Sequence, residues 1–196
     1  LQQLVLNVYN CNIDNMGIAQ LGKSISRLSK LYDLFLNFKK CSAISSEGVQ
    51  AIFSGLQTLI KLKSLTINFA GCPCLTDSEL EILAESIKSI QTLEQLDLDF
   101  SDCLNFTDFE VIQLSAGIQK CKCLKRLILD FDKCSQVSIE GILMLKATLL
   151  KLKNLLHVYL SLVGTKVTRE EAENVHKELQ HIVDLIICPR THTMKF

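Results

Sequence analysis

The chain has 196 residues, 48% of them hydrophobic, and its 21 Lys+Arg balance 21 Asp+Glu. That content excludes a disordered chain, and the balance excludes a global pull toward nucleic acid or an anionic membrane surface. No apolar run reaches the ~18 to 20 residues of a membrane-spanning helix, and no charged-then-apolar leader opens the sequence.

Taken in chain order, the elements repeat. The segment "LQQLVLNVYNC" starts at Leu1, "LYDLFLNFKKC" at Leu31, "LKSLTINFAGC" at Leu62, "LEQLDLDFSDC" at Leu93, "LKRLILDFDKC" at Leu124 and "LLHVYLSLVGT" at Leu155. The starts are 30, 31, 31, 31 and 31 residues apart, and a truncated copy, "IVDLII", runs from Ile182 to Ile187. A fixed period of this size predicts a stacked-repeat architecture.

Within each copy the period changes. In the third, Leu65, Ile67 and Phe69 alternate with Thr66, Asn68 and Ala70, which predicts a half-buried strand. Leu80, Leu83, Ile87 and Ile90 then follow the spacing of one apolar helix face. At each junction an apolar residue (Ile13, Ile44, Leu75, Phe106, Val137, Val167) precedes a capping type (Asp14, Ser45, Thr76, Thr107, Ser138, Thr168). Such side chains accept from the orphan N–H groups of a first helical turn. Thr76/Glu79, Thr107/Glu110 and Thr168/Glu171 have capping-box spacing, so helices are predicted to begin near residues 14, 45, 76, 107, 138 and 168. Strands joined through helices make a parallel sheet. Stacking is what lets each strand and helix bury its apolar face.

Five of the nine cysteines, Cys11, Cys41, Cys72, Cys103 and Cys134, fall at one repeat place. That ladder reads as small buried packing residues carrying thiols, in a reducing, intracellular and most simply cytoplasmic setting. The remaining pairs, Cys72/Cys74 and Cys121/Cys123, lack the partner spacing of a zinc site. No metal or cofactor is expected.

The frame L-x-x-L-x-L-x-F-x-x-C, then an apolar residue, a cap and an amphipathic helix, resembles the leucine-rich repeat. Its length resembles the ribonuclease-inhibitor-like subclass, which also holds the GTPase-activating protein for Ran. The resemblance covers residues 1 to 187. It implies an α/β solenoid with a parallel sheet on the concave face and helices on the convex face, and a binding surface as the general function. The cysteine here stands three places after an additional apolar residue, as in Leu98, Phe100, Cys103, a departure from the usual motif.

Alternation places Leu96, Leu98 and Phe100 inward and Asp97, Asp99 and Ser101 on the concave face. Equivalent side chains on strands about 4.8 Å apart form rows. One row reads Asn7, Asn37, Asn68, Asp99, Asp130, Ser161, and the other Val5, Phe35, Thr66, Asp97, Ile128, Tyr159. Asp97, Asp99, Asp130 and Asp132 are expected to make an acidic patch, with Glu94 and Asp102 at its margins and Lys125, Arg126 and Lys133 tempering it. Phe35, Ile128 and Tyr159 would supply apolar anchors. The candidate concave contacts are Phe35, Asn37, Asn68, Asp97, Asp99, Ile128, Asp130, Asp132 and Tyr159, and the fitting partner is a protein with a basic segment. A solvated polar face without a partner is the bland reading of the same residues. Rows spread the carboxylates too widely for a hard-cation site. On the convex side Ile139, Leu143, Met144 and Leu150 are surplus to the face formed by Ile142, Leu145, Leu149 and Leu152, which marks a second candidate contact.

The four histidines, His157, His176, His181 and His192, have no nucleophile motif around them, and no phosphate-binding glycine loop occurs. The expected function is therefore a non-enzymatic interaction module or scaffold subunit of a larger assembly. A Ran-type GTPase-activating regulator, with Arg126 or Arg169 at a rim loop, and an architectural subunit contacting partners through its helices are the alternatives. The chain is read as one domain, residues 1–196, of six repeats and a truncated strand, within a longer protein. Further repeats or a partner are expected to cover the N-terminal edge, and Pro189 is expected to end the ladder.

Overall fold

The computed structural model describes residues 1–73, 75, 77–182 and 184–188. Strands β1 (Gln3–Asn7), β2 (Asp33–Asn37), β3 (Ser64–Asn68), β4 (Gln95–Asp99), β5 (Arg126–Asp130), β6 (His157–Ser161) and β7 (Asp184–Cys188) lie in sequence order in one parallel sheet. Between them run α1 (Asn15–Ile25), α2 (Ser46–Leu56), α3 (Asp77–Ser89), α4 (Asp108–Ile118), α5 (Ile139–Leu149) and α6 (Arg169–Glu178). This is the α/β solenoid that the repeat frame predicts. Helices packed side by side need about 8–10 Å where strands need about 4.8 Å, so stacking of this kind bends toward the sheet and makes its open face the inner one.

The helix starts follow the caps. Asp14, Thr107, Ser138 and Thr168 each accept a first-turn N–H, and the Thr107/Glu110 and Thr168/Glu171 boxes are both closed. Thr76 lies outside the described residues, as do Cys74, Val183, Pro189 and His192. Ser45 departs from expectation: its side chain caps nothing, and its N–H instead donates to Asn15 Oδ1 of the preceding helix (2.8 Å). Asp108, the first residue of α4, does the same for α5, accepting from the N–H and hydroxyl of Ser138 (2.7 and 2.6 Å). In both pairs the first residue of one helix thus caps the next across the repeat boundary.

The core lies between sheet and helices. Inward strand residues such as Leu34, Leu36, Leu65, Leu96 and Leu98 are buried. Leu4 and Leu6, on the edge strand β1, are half-buried against the same core. Behind the strand ends stand Phe38, Phe69, Phe100 and Phe131, all fully buried. Phe38 stacks on Phe69 at 5.1 Å, and Phe100 on Phe106 at 4.8 Å.

The chain leaves each of β1 to β6 through a left-handed residue. Asn10, Lys40, Asp102 and Lys133 have φ of 53° to 61°, and Gly71 and Gly164 fill the equivalent places. Ala70 and Ser101, expected on the outer face, are buried, whereas Lys39, Asp132 and Val163 at the equivalent place are half-buried. Beyond the left-handed residue the ladder cysteines turn inward. Cys41 donates to Val8 O (2.9 Å), Cys72 to Phe38 O (3.1 Å), Cys103 to Phe69 O (3.4 Å) and Cys134 to Phe100 O (3.2 Å). Each thiol thereby ties its repeat to the one before. Cys11 belongs to the first copy, has no such neighbour in the chain, and is exposed. Burial raises the Cys41 and Cys134 thiols and pushes Cys121 up to about 12. A thiol reagent at pH 8 is therefore expected to label Cys11 and Cys123 promptly, and Cys41, Cys121 and Cys134 only at the rate of unfolding. Peptide mass mapping over time checks this.

Candidate partner-binding face

The register across the sheet fixes both predicted rows. Val5, Phe35, Thr66, Asp97, Ile128 and Tyr159 are paired in turn, and the row continues to Ile186. The second row runs Asn7, Asn37, Asn68, Asp99, Asp130, Ser161, Cys188. Eight of the nine predicted concave contacts belong to these two rows and Asp132 follows just beyond β5; all nine are half-buried. Half-burial on a face free of helices comes from the neighbouring strands' own side chains.

The second row has a structural duty. Asn7 accepts from the N–H of Tyr9 (3.1 Å), Asn37 from Lys39 (3.0 Å), Asn68 from Ala70 (2.9 Å), Asp99 from Ser101 (2.9 Å) and Asp130 from Asp132 (2.9 Å). These are Asx turns, in which a short carbonyl-bearing side chain satisfies an N–H two residues on. Asn and Asp perform this task equally, so the turn itself does not require the negative charge of Asp99 and Asp130; the second oxygen of Asp99 also accepts from Asn68 Nδ2 (2.6 Å). Asp132 sits beyond the strand and accepts from Ser161 and from the N–H of Val163 (2.9 Å).

The margins of the patch neutralise themselves. Glu94 receives Lys125 at 2.7 Å and Lys63 at 3.1 Å, which hold its carboxyl below the usual range. Lys133 meets Asp102 at 3.0 Å. Between these pairs Asp97, Asp99, Asp130 and Asp132 stand together. Burial raises Asp97, partly opposed by Arg126. Burial also pushes Asp130 up to about 6, with the charges of Asp132 and Asp99 adding to it.

Beside the acids lies a groove of about 600 Å³ at the N-terminal ends of β5, β6 and β7. Ile128, Tyr159, Ile186 and the exposed Leu156 make it apolar. Lys125, Arg126 and the His157–Asp184 pair (2.6 Å) form its border. Ile186 and Leu156 were not among the expected contacts. Ile186 was legible as the equivalent of Tyr159 in the truncated copy, whereas nothing in the alternation marks Leu156.

On the helical side Leu143, Met144 and Leu150 are exposed as expected, but Ile139 is not surplus: it is half-buried against the core. It is the first residue of α5, and helical side chains lean toward the N-terminus, which here carries it beneath the neighbouring turn.

Seven parallel strands alternating with six helices among the described residues define an α/β solenoid of leucine-rich-repeat type. A solved structure similar to this chain is the C-terminal domain of tropomodulin from Caenorhabditis elegans, matched over 86% of this chain and 92% of that one, with a TM-score of 0.57 and 15% identity. At that identity the likeness bears on the fold alone. No protein-family model matches the sequence, and no curated protein does. Among the described residues no helix is long and apolar enough to cross a membrane, and no three His, Cys, Asp or Glu side chains gather as metal ligands.

Proposed function

We propose that this chain is a non-enzymatic protein-interaction module of the ribonuclease-inhibitor-like subclass, working in a reducing intracellular compartment and binding the basic segment of a partner on the open face of its sheet. The observation that supports this reading is the charge at Asp130. Asn would make the same turn, as Asn7, Asn37 and Asn68 do. The acid adds only a carboxylate whose burial disfavours its ionised form. A charge held against its own folding cost is expected where a partner uses it.

Asp130→Asn tests the cost. Burial pushes the carboxyl up to about 6 in the folded chain, against about 3.9 when unfolded. Between those values the folded chain holds the extra proton, so this group's contribution to stability falls as pH rises through that window and is most unfavourable above it. Asp130→Asn should therefore melt higher than the parent at pH 7.5, with the gap closing by pH 4.

Asp99→Asn with Asp130→Asn tests the binding. Both turns survive, the charge does not, and affinity for a basic partner should drop about tenfold or more, roughly 1.4 kcal/mol. Quantitative affinity capture from cell extract, with Met144→Glu as the helical-side control, measures it. Partners retained by the double variant and lost with Met144→Glu would transfer the function to the convex helices.

A further inference from the structure

We propose that the groove over β5–β7 receives an amphipathic helix of the partner, laid across the strands, with its apolar stripe on Ile128, Tyr159 and Ile186 and a Lys/Arg-bearing flank over Asp99, Asp130 and Asp132. This rests on the reading that the open face binds protein, and adds the form and chemistry of the ligand.

Spacing selects the helix. Ile128, Tyr159 and Ile186 are register partners on consecutive strands, so they stand about 4.8 Å apart and span about 10 Å. A helix offers one apolar residue per turn of about 5.4 Å, and an i, i+3/i+4, i+7 stripe spans about 10.5 Å. An extended segment offers one every two residues, about 6.7 Å, and falls out of step by the third anchor. The helix-in-groove mode reads anchors at this helical spacing.

Charge selects the flank. On the side of the stripe toward the strand C-termini stand Asp99 and Asp130, with Asp132 just beyond. None of the three is in an ion pair of the kind that serves Glu94 and Asp102; Asp99 accepts from Asn68 Nδ2 (2.6 Å), and Lys39 acts on Asp130 only through its field. On the other side Arg126 borders the groove and acts on Asp97. A cationic flank placed there meets like charge, so a helix with Lys or Arg on one side only fits the surface in one sense.

Selection from a displayed library of peptides of about 18 residues, some five turns, on the complete chain tests this. The expected consensus is apolar at i, i+3/i+4 and i+7 with Lys/Arg on a single flank. Its binding should fall at least about tenfold with Tyr159→Glu and with Asp99→Asn/Asp130→Asn, and stay unchanged with Met144→Glu. Tyr159→Ala accompanies Tyr159→Glu, and circular dichroism confirms the fold of each. Ligands of alternating or proline-bearing pattern that still need Tyr159 and the two acids would overturn the helix and leave the open-face reading standing. Ligands indifferent to both sets of changes would overturn the two together. Enrichment of no helical ligand, or self-association of the chain dispersed by Tyr159→Glu, would also overturn the proposal.

Discussion

Phe100→Ala is expected to lower the unfolding free energy by about 3–5 kcal/mol, the usual loss for a fully buried aromatic truncated to alanine. Phe100 earns the upper part of that range from its place. Its ring lies 4.8 Å from Phe106 and 6.3 Å from Phe131, and Phe106 is itself 5.4 Å from Phe131. Removing this ring leaves the other two facing a cavity, which the backbone cannot readily close. The Phe100 carbonyl accepts the thiol of Cys134, and Cys103 N–H returns to the same carbonyl (3.1 Å). Collapse of the strand end toward the hole would pull on both. For a chain of this size the loss corresponds to roughly 10 °C in Tm. Urea titration followed by circular dichroism measures it. A change under about 1 kcal/mol, well below the range for buried aromatics, would mean that the aromatic cluster does not couple repeats four and five. Val8 and Leu162 occupy the equivalent places in the first and sixth copies, so aromatic packing is concentrated in the copies between them.

The repeat frame carried most of this fold into view, for physical reasons that differ by element. Burial on one side forces a period of two along Leu96–Leu98–Phe100, and burial of one helix face forces the spacing Ile142–Leu145–Leu149. Both patterns survive in a single sequence because water reads them directly. Caps were legible where the side chain does the capping, as at Asp14 and Thr107. They were not legible where the capping group comes from another repeat, as Asp108 does for Ser138. The left-handed exits were signalled by Asn10, Gly71, Asp102 and Gly164, residue types tolerant of positive φ. Lys40 and Lys133 give no such signal, and the stacked frame imposes the conformation on them.

The candidate face shows the same division. Row membership follows from the register alone, so Asp97, Ile128 and Tyr159 could be placed together from the repeat spacing. What the side chains do there could not. Asn37, Asn68, Asp99 and Asp130 look in sequence like ligand-facing polar residues, and each also closes a turn. This changes the variant that isolates function. A lysine at residue 99 or 130 would remove the turn acceptor along with the charge, whereas asparagine keeps the turn acceptor and removes the charge, at residue 99 together with the oxygen that accepts from Asn68 Nδ2 (2.6 Å).

Glycines inside helices were the other unused signal, and Gly117→Ala is expected to reverse the ordinary rule. In an exposed helix interior, alanine for glycine gains about 1 kcal/mol of propensity. A Cβ on Gly117 would lie 2.5 Å from the Ala84 carbonyl oxygen and 2.9 Å from Ala84 Cα, both backbone atoms of α3. Neither can rotate away, so α3 and α4 must part or α4 must tilt. Parting strips contact from Leu83, Ile87, Leu114 and Ile118, all buried in the shared core. Overpacking of this kind costs about 1–3 kcal/mol for small additions. The net result for Gly117→Ala should be destabilising by about 1–2 kcal/mol once the propensity gain is subtracted. Gly117→Val should lie at or beyond the upper end of the overpacking range, about 3 kcal/mol. Gly17→Ala supplies the contrast. Gly17 is exposed, and its added Cβ would meet only the Ile13 side chain at 3.2 Å and Asp14 Oδ1 at 3.4 Å. Those are movable groups, so the propensity gain should survive and the variant should be neutral or slightly more stable. Opposite signs at two helical glycines, measured by the same urea titration, would establish that close backbone approach between α3 and α4 sets the spacing of the helical layer. Equal signs would refute it.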